Sequence, residues 1–274
     1  MSGKEVLIQP NQRFLEVSHL GSFHTLEEAQ SVCQLEEAKK LDDLVFGKHL
    51  GITMDELVNI MNNGAVLLLR DSNGKLIGES QVITSPIPQH SHLDEDEAYN
   101  YGTAISPELQ NNGTAQILFK GQEIIAKEAG KSRSTLTVRL ENAQSIRGRF
   151  KAGFHIVGYD PNYYGSVEED GARIIMEKRL NDKKKYVFST EELIKVVSCD
   201  DFSYAELEGI SVLMKNPSIF LGVWIKSGDN IDLSGHSIIA EILGSQGYEG
   251  IGLIKENELN YLRESEHLLI FKRK

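Results

Sequence analysis

The stretch ISPELQNNGTAQILFKGQEIIAKEAG, running from Ile105 to Gly130, decides how the rest of the chain reads. A β-like run stops at Pro107, a polar turn follows, and Gly113-Thr114-Ala115 opens a long segment with amphipathic spacing. The first turn of a helix carries backbone N–H groups that lack an intrahelical acceptor, and the macrodipole adds partial positive charge there. A phosphate satisfies both, provided the side chains at the turn let it reach the backbone. Gly113 has no side chain, and those of Thr114 and Ala115 are short. The spacing Gln110-x-x-Gly113-x-Ala115 behind a strand therefore suits a pyrophosphate cradle. An ordinary strand-turn-helix with glycine at the turn meets the same local pattern, so the neighbouring segments have to decide.

Upstream, FLEVSHL (Phe14 to Leu20) alternates as a strand does. TLEEAQSVCQLEEAKKLDDLVFG predicts a helix with Thr25 as N-cap and Glu28 three residues later, the spacing of a capping box. TMDELVNIMNNG repeats that signal with Thr53 and Glu56. AVLLLRD and KLIGESQVIT are β-rich runs joined by Ser72-Asn73-Gly74, a hairpin signal. SPIPQHSHLDEDE reads as a loop and AYNYGTAI as the strand before the turn. A helix over about 114–129 comes next, then strand STLTVRL, the short helix NAQSIRGRFKAG and strands FHIVGYD and ARIIMEKRL. The predicted order is β-α-α-β-β-β-α-β-α-β-β, a mixed α/β sheet flanked by helices with a crossover helix in its middle.

The polar segment NDKKKY (Asn181 to Tyr186) marks an expected boundary between a domain of residues 1–181 and a small accessory α/β domain of residues 187–274. In that tail TEELIKVVS, YAELEGISVLMKN and SGHSIIAEILGSQG predict helices, and FLGVWIK, GIGLI and HLLIFKRK predict strands.

Composition narrows the function. The chain has 274 residues, 40% hydrophobic and 25% charged, which is the make-up of a soluble protein. It holds no apolar run long enough for a transmembrane helix and no apolar core of a signal peptide near its start, so no membrane association is expected. A formal net charge of -11 speaks against a nucleic-acid binder and suits a cationic partner. Cys33 and Cys199 stand far apart, with neither metal-ligand spacing nor a disulfide framework, as in a cytoplasmic protein.

The pattern around Gln110, Gly113 and Ala115 resembles the acyl-CoA-binding motif of the GNAT N-acetyltransferase superfamily, in which Arg or Gln-x-x-Gly-x-Gly or Ala follows the fourth strand. Asn142, Ser145, Gly153 and Phe154 fall into the second motif of that superfamily, and the element order from Phe14 to Leu180 is similar to its fold. The resemblance covers about the first two-thirds of the chain and none of the tail. It implies a mostly antiparallel mixed sheet and acetyl-CoA as cosubstrate, with no metal. Gln110, Asn111, Asn112, Gly113, Thr114 and Ala115 would meet the CoA diphosphate. Thr103, Ala104 and Ile105 would pair with the pantetheine arm, and Gly102, Asn142 and Ser145 would lie beside it. The implied chemistry is direct attack of a small-molecule or peptide amine on the thioester in a ternary complex.

An alkyl ammonium must lose its proton before it attacks, which costs roughly 4.6 kcal/mol at neutral pH for a pKa about 3.4 units higher. A carboxylate or an ordered water must accept that proton. The candidates are Glu97, nearest the strand, the neighbouring Asp94, Glu95 and Asp96, and Glu79 on the preceding strand. Many members of the superfamily carry a Tyr seven residues after the motif Asn, and Arg149 stands there instead. That departure leaves the proton donor to the thiolate unassigned, and it motivates a second reading as a catalytically weak or inactive acyl-CoA-binding regulatory protein. Tyr159, Tyr163 and Tyr164 read as packing residues, and His90 and His92 as loop histidines without further metal ligands. In the tail, Asp232, His236 and Glu241 form no catalytic constellation, and a structural or substrate-selecting role is expected there: binding a second partner, shaping the acceptor cleft or mediating homodimerisation.

Overall fold

The computed structural model describes residues 15–19, 22–139, 142–160, 162–163, 172–181, 203–207, 210–215, 220–226, 239, 242–243, 248–255 and 266–273. The described chain runs β1 (Leu15–His19), β2 (Ser22–Glu28), α1 (Val32–Phe46), α2 (Met54–Asn63), β3 (Gly64–Arg70), β4 (Leu76–Ile83), β5 (Glu97–Ile105), α3 (Ala115–Glu128) and β6 (Arg133–Val138). It continues through α4 (Ala143–Lys151), β7 (His155–Asp160), β8 (Arg173–Arg179), β9 (Ser203–Leu207), β10 (Ile210–Lys215), β11 (Phe220–Lys226), β12 (Tyr248–Lys255) and β13 (Glu266–Arg273). Two compact units result, one of residues 1–135 and 179–181, the other of residues 136–178 and 182–274.

In the first unit the strands lie in the order β1-β2-β3-β4-β5-β6. Neighbours from β1 to β5 are antiparallel, and β5 and β6 are parallel. The β3–β4 hairpin forms as the Asn-Gly signal predicts, with Asp71 Oδ1 accepting from the amides of Asn73 and Lys75 at 2.9 Å each. Two layers of apolar side chains cover the sheet. Leu35 and Ala38 of α1 and Leu57 and Ile60 of α2 pack on Val66, Leu68 and Ile83. On the other face, Ile117 and Leu118 of α3 pack on Leu26, Leu67, Leu69 and Ile77. The alternation Val66/Leu68 against Leu67/Leu69 on β3 is the period of two that lets one strand serve both layers.

The capping box predicted for α2 is present. Thr53 Oγ1 accepts from Glu56 N at 3.2 Å, and Glu56 Oε2 accepts from Thr53 N at 2.8 Å. The one predicted for Thr25 is not. Thr25 lies inside β2, opposite Glu16 on one side and Arg70 on the other, and α1 starts only at Val32. Ser31 is its N-cap, with Oγ accepting from Gln34 N at 3.4 Å. Pairing on both edges of β2 outweighs a four-residue local signal, because long-range sheet contacts override propensity.

The second unit carries the strand order β8-β7-β12-β13-β11-β10-β9. Ile146, Phe154, Ile156 and Met176 share one core with Ile239, Leu253, Leu269 and Phe271 of the tail. Within the segment 204–216, expected as a helix, the described residues 204–207 and 210–215 lie in the antiparallel strands β9 and β10 instead. Leu207 lies opposite Ile210, so two residues join the strands. Ile210 and Val212 are β-branched, and antiparallel pairing of β10 with both β9 and β11 outweighs the helical spacing of the apolar residues. The expected helix at 190–198 and the boundary segment 182–186 lie outside the described residues. The compact units divide within β6, between Thr135 and Leu136.

Candidate active site

The turn between β5 and α3 is built by residues that hold backbone open. Asn111 and Gly113 both adopt left-handed φ, 65° and 79°, a conformation that glycine takes without steric cost. Gln110 Nε2 donates to Ile105 O at 3.0 Å, tying the turn back to the end of β5, and Thr114 Oγ1 donates to Leu109 O at 3.3 Å within the turn itself. Thr114, at the N-cap position, makes no side-chain cap hydrogen bond. Among the described residues the N–H groups of Gly113, Thr114 and Ala115 have no acceptor outside the helix. Successive amides in right- and left-handed conformations at a helix start form an anion-binding concavity. Gln110, Asn111, Asn112 and Gly113 are exposed and Ala115 half-buried, so an anion has access to them.

Upstream of that turn, β5 carries an extra residue. Ser80 lies opposite Thr103 but Val82 opposite Asn100, so two steps along β4 meet three along β5. A bulge of this kind bends a strand and re-aims its side chains. The same register sets Glu79 opposite Ala104 and Gly78 opposite Ile105. The parallel ladder of β5 with β6 runs from Glu97↔Arg133 to Tyr99↔Thr135.

Glu79 has no solvent exposure, and its Oε1 has no hydrogen-bond partner among the described residues. Its Oε2 accepts from Gln81 Nε2. Burial, reinforced by the charge of Asp42, pushes the Glu79 carboxyl well above the usual carboxylate range. Asp42, on α1, is itself pushed up to about 6 by burial, against the hydrogen bond that its Oδ2 accepts from Ile52 N at 2.7 Å. Gln81 lies across Gly102, where an added Cβ would stand 2.3 Å from Gln81 Oε1. Gly102 is therefore a close-approach position.

Glu97 sits elsewhere. Its Oε2 is 3.0 Å from Arg133 Nη2 and its Oε1 accepts from Thr135 Oγ1. Arg133 also pairs with Asp94 and, at 3.2 Å, with Asp96, so these acidic residues form one ion-pair cluster in which Asp94 and Asp96 stay exposed. Ala104, which faces Glu79, lies seven residues along β5 from Glu97, roughly 23 Å at a strand rise of about 3.3 Å per residue. The two predicted bases are not brought together.

His90 was legible only as a loop histidine, yet it is buried and stacks 4.3 Å from Tyr99 and edge-on to Tyr101 at 5.4 Å. Burial, aided by His92, holds it neutral with a pKa lowered to about 4. Tyr101 donates to Glu56 Oε1 at 3.0 Å, which fixes β5 to the start of α2. The signal for this cluster was the pair Tyr99 and Tyr101, two residues apart on a strand and so on one face.

Asn142 and Ser145 belong to the second unit. There Asn142 caps α4, its Oδ1 accepting from Ser145 N at 3.0 Å. Arg149 is buried with its guanidinium 5.5 Å from the Phe154 ring centre. Tyr164, Asp232, His236 and Glu241 lie outside the described residues.

No family model matches the chain, and no curated relative matches it. Solved structures to which it is similar include the ribosomal-protein-S18-alanine N-acetyltransferase from Escherichia coli, at 20% identity and a TM-score of 0.47, over 61% of this chain and 99% of that one. Ard1 from Thermoplasma volcanium is 18% identical with a TM-score of 0.46, over 58% and 99% of the respective chains. Arabidopsis thaliana Naa50 in complex with a bisubstrate analogue is 16% identical with a TM-score of 0.47, over 57% and 97%. Each likeness is one of chain path at low identity and carries none of the functional argument.

Proposed function

We propose that this protein is an acetyl-CoA-dependent N-acetyltransferase that acts on a primary amine. The observation that carries the reading is the turn at Gln110–Ala115. Its left-handed Asn111 and Gly113, uncapped N-terminus and small side chains fit the diphosphate of CoA, a group that the sequence motif independently suggests. Bound acetyl-CoA supplies the activated acyl carbon. The diphosphate is held by the amides of Gly113, Thr114 and Ala115, and the backbone of Thr103, Ala104 and Ile105 lines the arm.

Within this reading Glu79 is the proton acceptor. It stands opposite Ala104, level with the segment assigned to the arm, and one of its oxygens is uncommitted. A carboxyl with a raised pKa is a stronger base once ionised, which suits removal of a proton from an ammonium group. Glu97 is an anchor for Arg133 and Thr135 instead. The formal net charge of -11 favours a cationic acceptor. Residues 1–181 carry the transfer chemistry in this account, and residues 187–274 are accessory to it. The test is release of CoA thiol from acetyl-CoA across a panel of amines and peptides. Turnover that requires the amine supports the reading, and none with any acceptor overturns it.

A further inference from the structure

Gln122 is the only polar side chain among the buried residues of α3, and it has no solvent exposure. Its Nε2 donates to Ser80 Oγ and, at 2.9 Å, to Gln81 O, and it lies 3.5 Å from Gly102 O. Ser80 Oγ passes a hydrogen bond on to Gly102 O at 2.7 Å, and Thr103 Oγ1 donates to the same carbonyl at 2.7 Å. These acceptors sit at the register slip, where β4 advances from Ser80 to Val82 while β5 runs from Thr103 back to Asn100. A bulge leaves ladder groups without their regular strand partner, and a buried carbonyl needs a donor. One amide from the helix reaches both strands at that point.

Gln122 lies seven residues after Ala115 on the same helix, about two turns from the cradle. A single rigid element thus bears both the phosphate-binding turn and the clamp on the bulge. We propose that Gln122 is a positioning residue for the acyl donor: by holding the Tyr101–Gly102 bulge, it sets where the Thr103–Ile105 backbone lies relative to the amides of Gly113–Ala115. The inference rests on the donor assignment above, and it adds a residue that the motif does not contain.

The test is Gln122→Met, which keeps length and volume but removes both donors, beside Ile60→Val as a control for loss of packing on the far side of the sheet. Acetyl-CoA is titrated calorimetrically into each folded protein, KM is measured separately for acetyl-CoA and for the amine, and amide hydrogen exchange is followed. The expected result for Gln122→Met is a Kd and KM for acetyl-CoA weakened about tenfold or more, since small misplacements of a bound reactant are costly. The KM for the amine stays unchanged, and exchange at Tyr101–Thr103 accelerates while that at Leu67–Leu69 does not. Unaltered acetyl-CoA binding by Gln122→Met overturns the positioning role alone, as does an equal loss in Ile60→Val. Wild-type protein that binds no acetyl-CoA overturns the donor assignment, and the positioning role falls with it.

Discussion

Gln81 Nε2 donates to Glu79 Oε2, two residues along the same strand, and so fixes one carboxyl oxygen while the other is left uncommitted inside the sheet. Side chains at i and i+2 of a strand share a face, and the close approach of Gly102 lets the Gln81 amide lie across that face. The hydrogen bond gives Glu79 a fixed orientation, and burial, reinforced by the charge of Asp42, raises its pKa. Both are properties of a poised base.

Glu79→Gln keeps the shape and the contact with Gln81 but removes the proton acceptor. Its kcat is expected to fall by about 10²–10⁴-fold, the range for loss of general base help. Its melting temperature at pH 7 is expected to hold or rise, because no carboxyl remains whose ionisation burial disfavours. A kcat within a few-fold of wild type removes Glu79 from the chemistry.

Glu97→Gln tests the opposite assignment. Loss of the charge weakens the bonds from Arg133 and Thr135, so stability should drop by about 1–3 kcal/mol in urea unfolding. Turnover by the folded fraction should stay near wild type. A large fall in kcat without loss of stability would return Glu97 to the role of base.

Gly102→Ala introduces a Cβ against Gln81 Oε1, the far end of a flexible side chain. The chain can swing away, at the expense of its bond to Glu79. The expected outcome is a modest loss of stability, about 1–2 kcal/mol for a broken buried hydrogen bond, and a clear loss of kcat. The double variant Gly102→Ala with Gln81→Ala should lose no more activity than Gln81→Ala alone, as steady-state kinetics would show.

Asp42→Asn should change how stability depends on pH. With its folded pKa raised from 3.8 to about 6, Asp42 contributes stability below pH 4 that is lost as pH rises through 6. The neutral variant escapes this loss and gains on wild type by up to about 3 kcal/mol at pH 7, for about two units at 1.36 kcal/mol each. His90, lowered from 6.5 to about 4, acts with the opposite sign, its contribution lost as pH falls from 6.5 toward 4. The Asp42 effect is therefore read from the difference between the two urea-denaturation curves. A constant difference from pH 4 to 7 would contradict it.

Much of this architecture was legible in the residues. The Asn73-Gly74 hairpin, the Thr53–Glu56 capping box and the turn before α3 carry local chemistry that the tertiary structure keeps. Thr25 and the segment 204–216 misled because their local signals compete with sheet pairing, which no short window contains. The anchoring of Glu97 depends on Arg133, 36 residues later, and the clamp at the bulge joins Gln122 to Ser80 across 42. Spacing shows which residues share a face, but not which distant partner satisfies them.

The most direct test of the central claim is calorimetric titration of acetyl-CoA into the wild-type protein and into Ala115→Asp. An acidic side chain in the first turn of α3 suits the helix dipole, so the fold should not suffer, and thermal denaturation checks that. The same charge repels a diphosphate at the amides of Gly113–Ala115. The account predicts saturable binding by the wild type and its loss in the equally stable variant. Equal binding by both proteins, or none by the wild type, would contradict it.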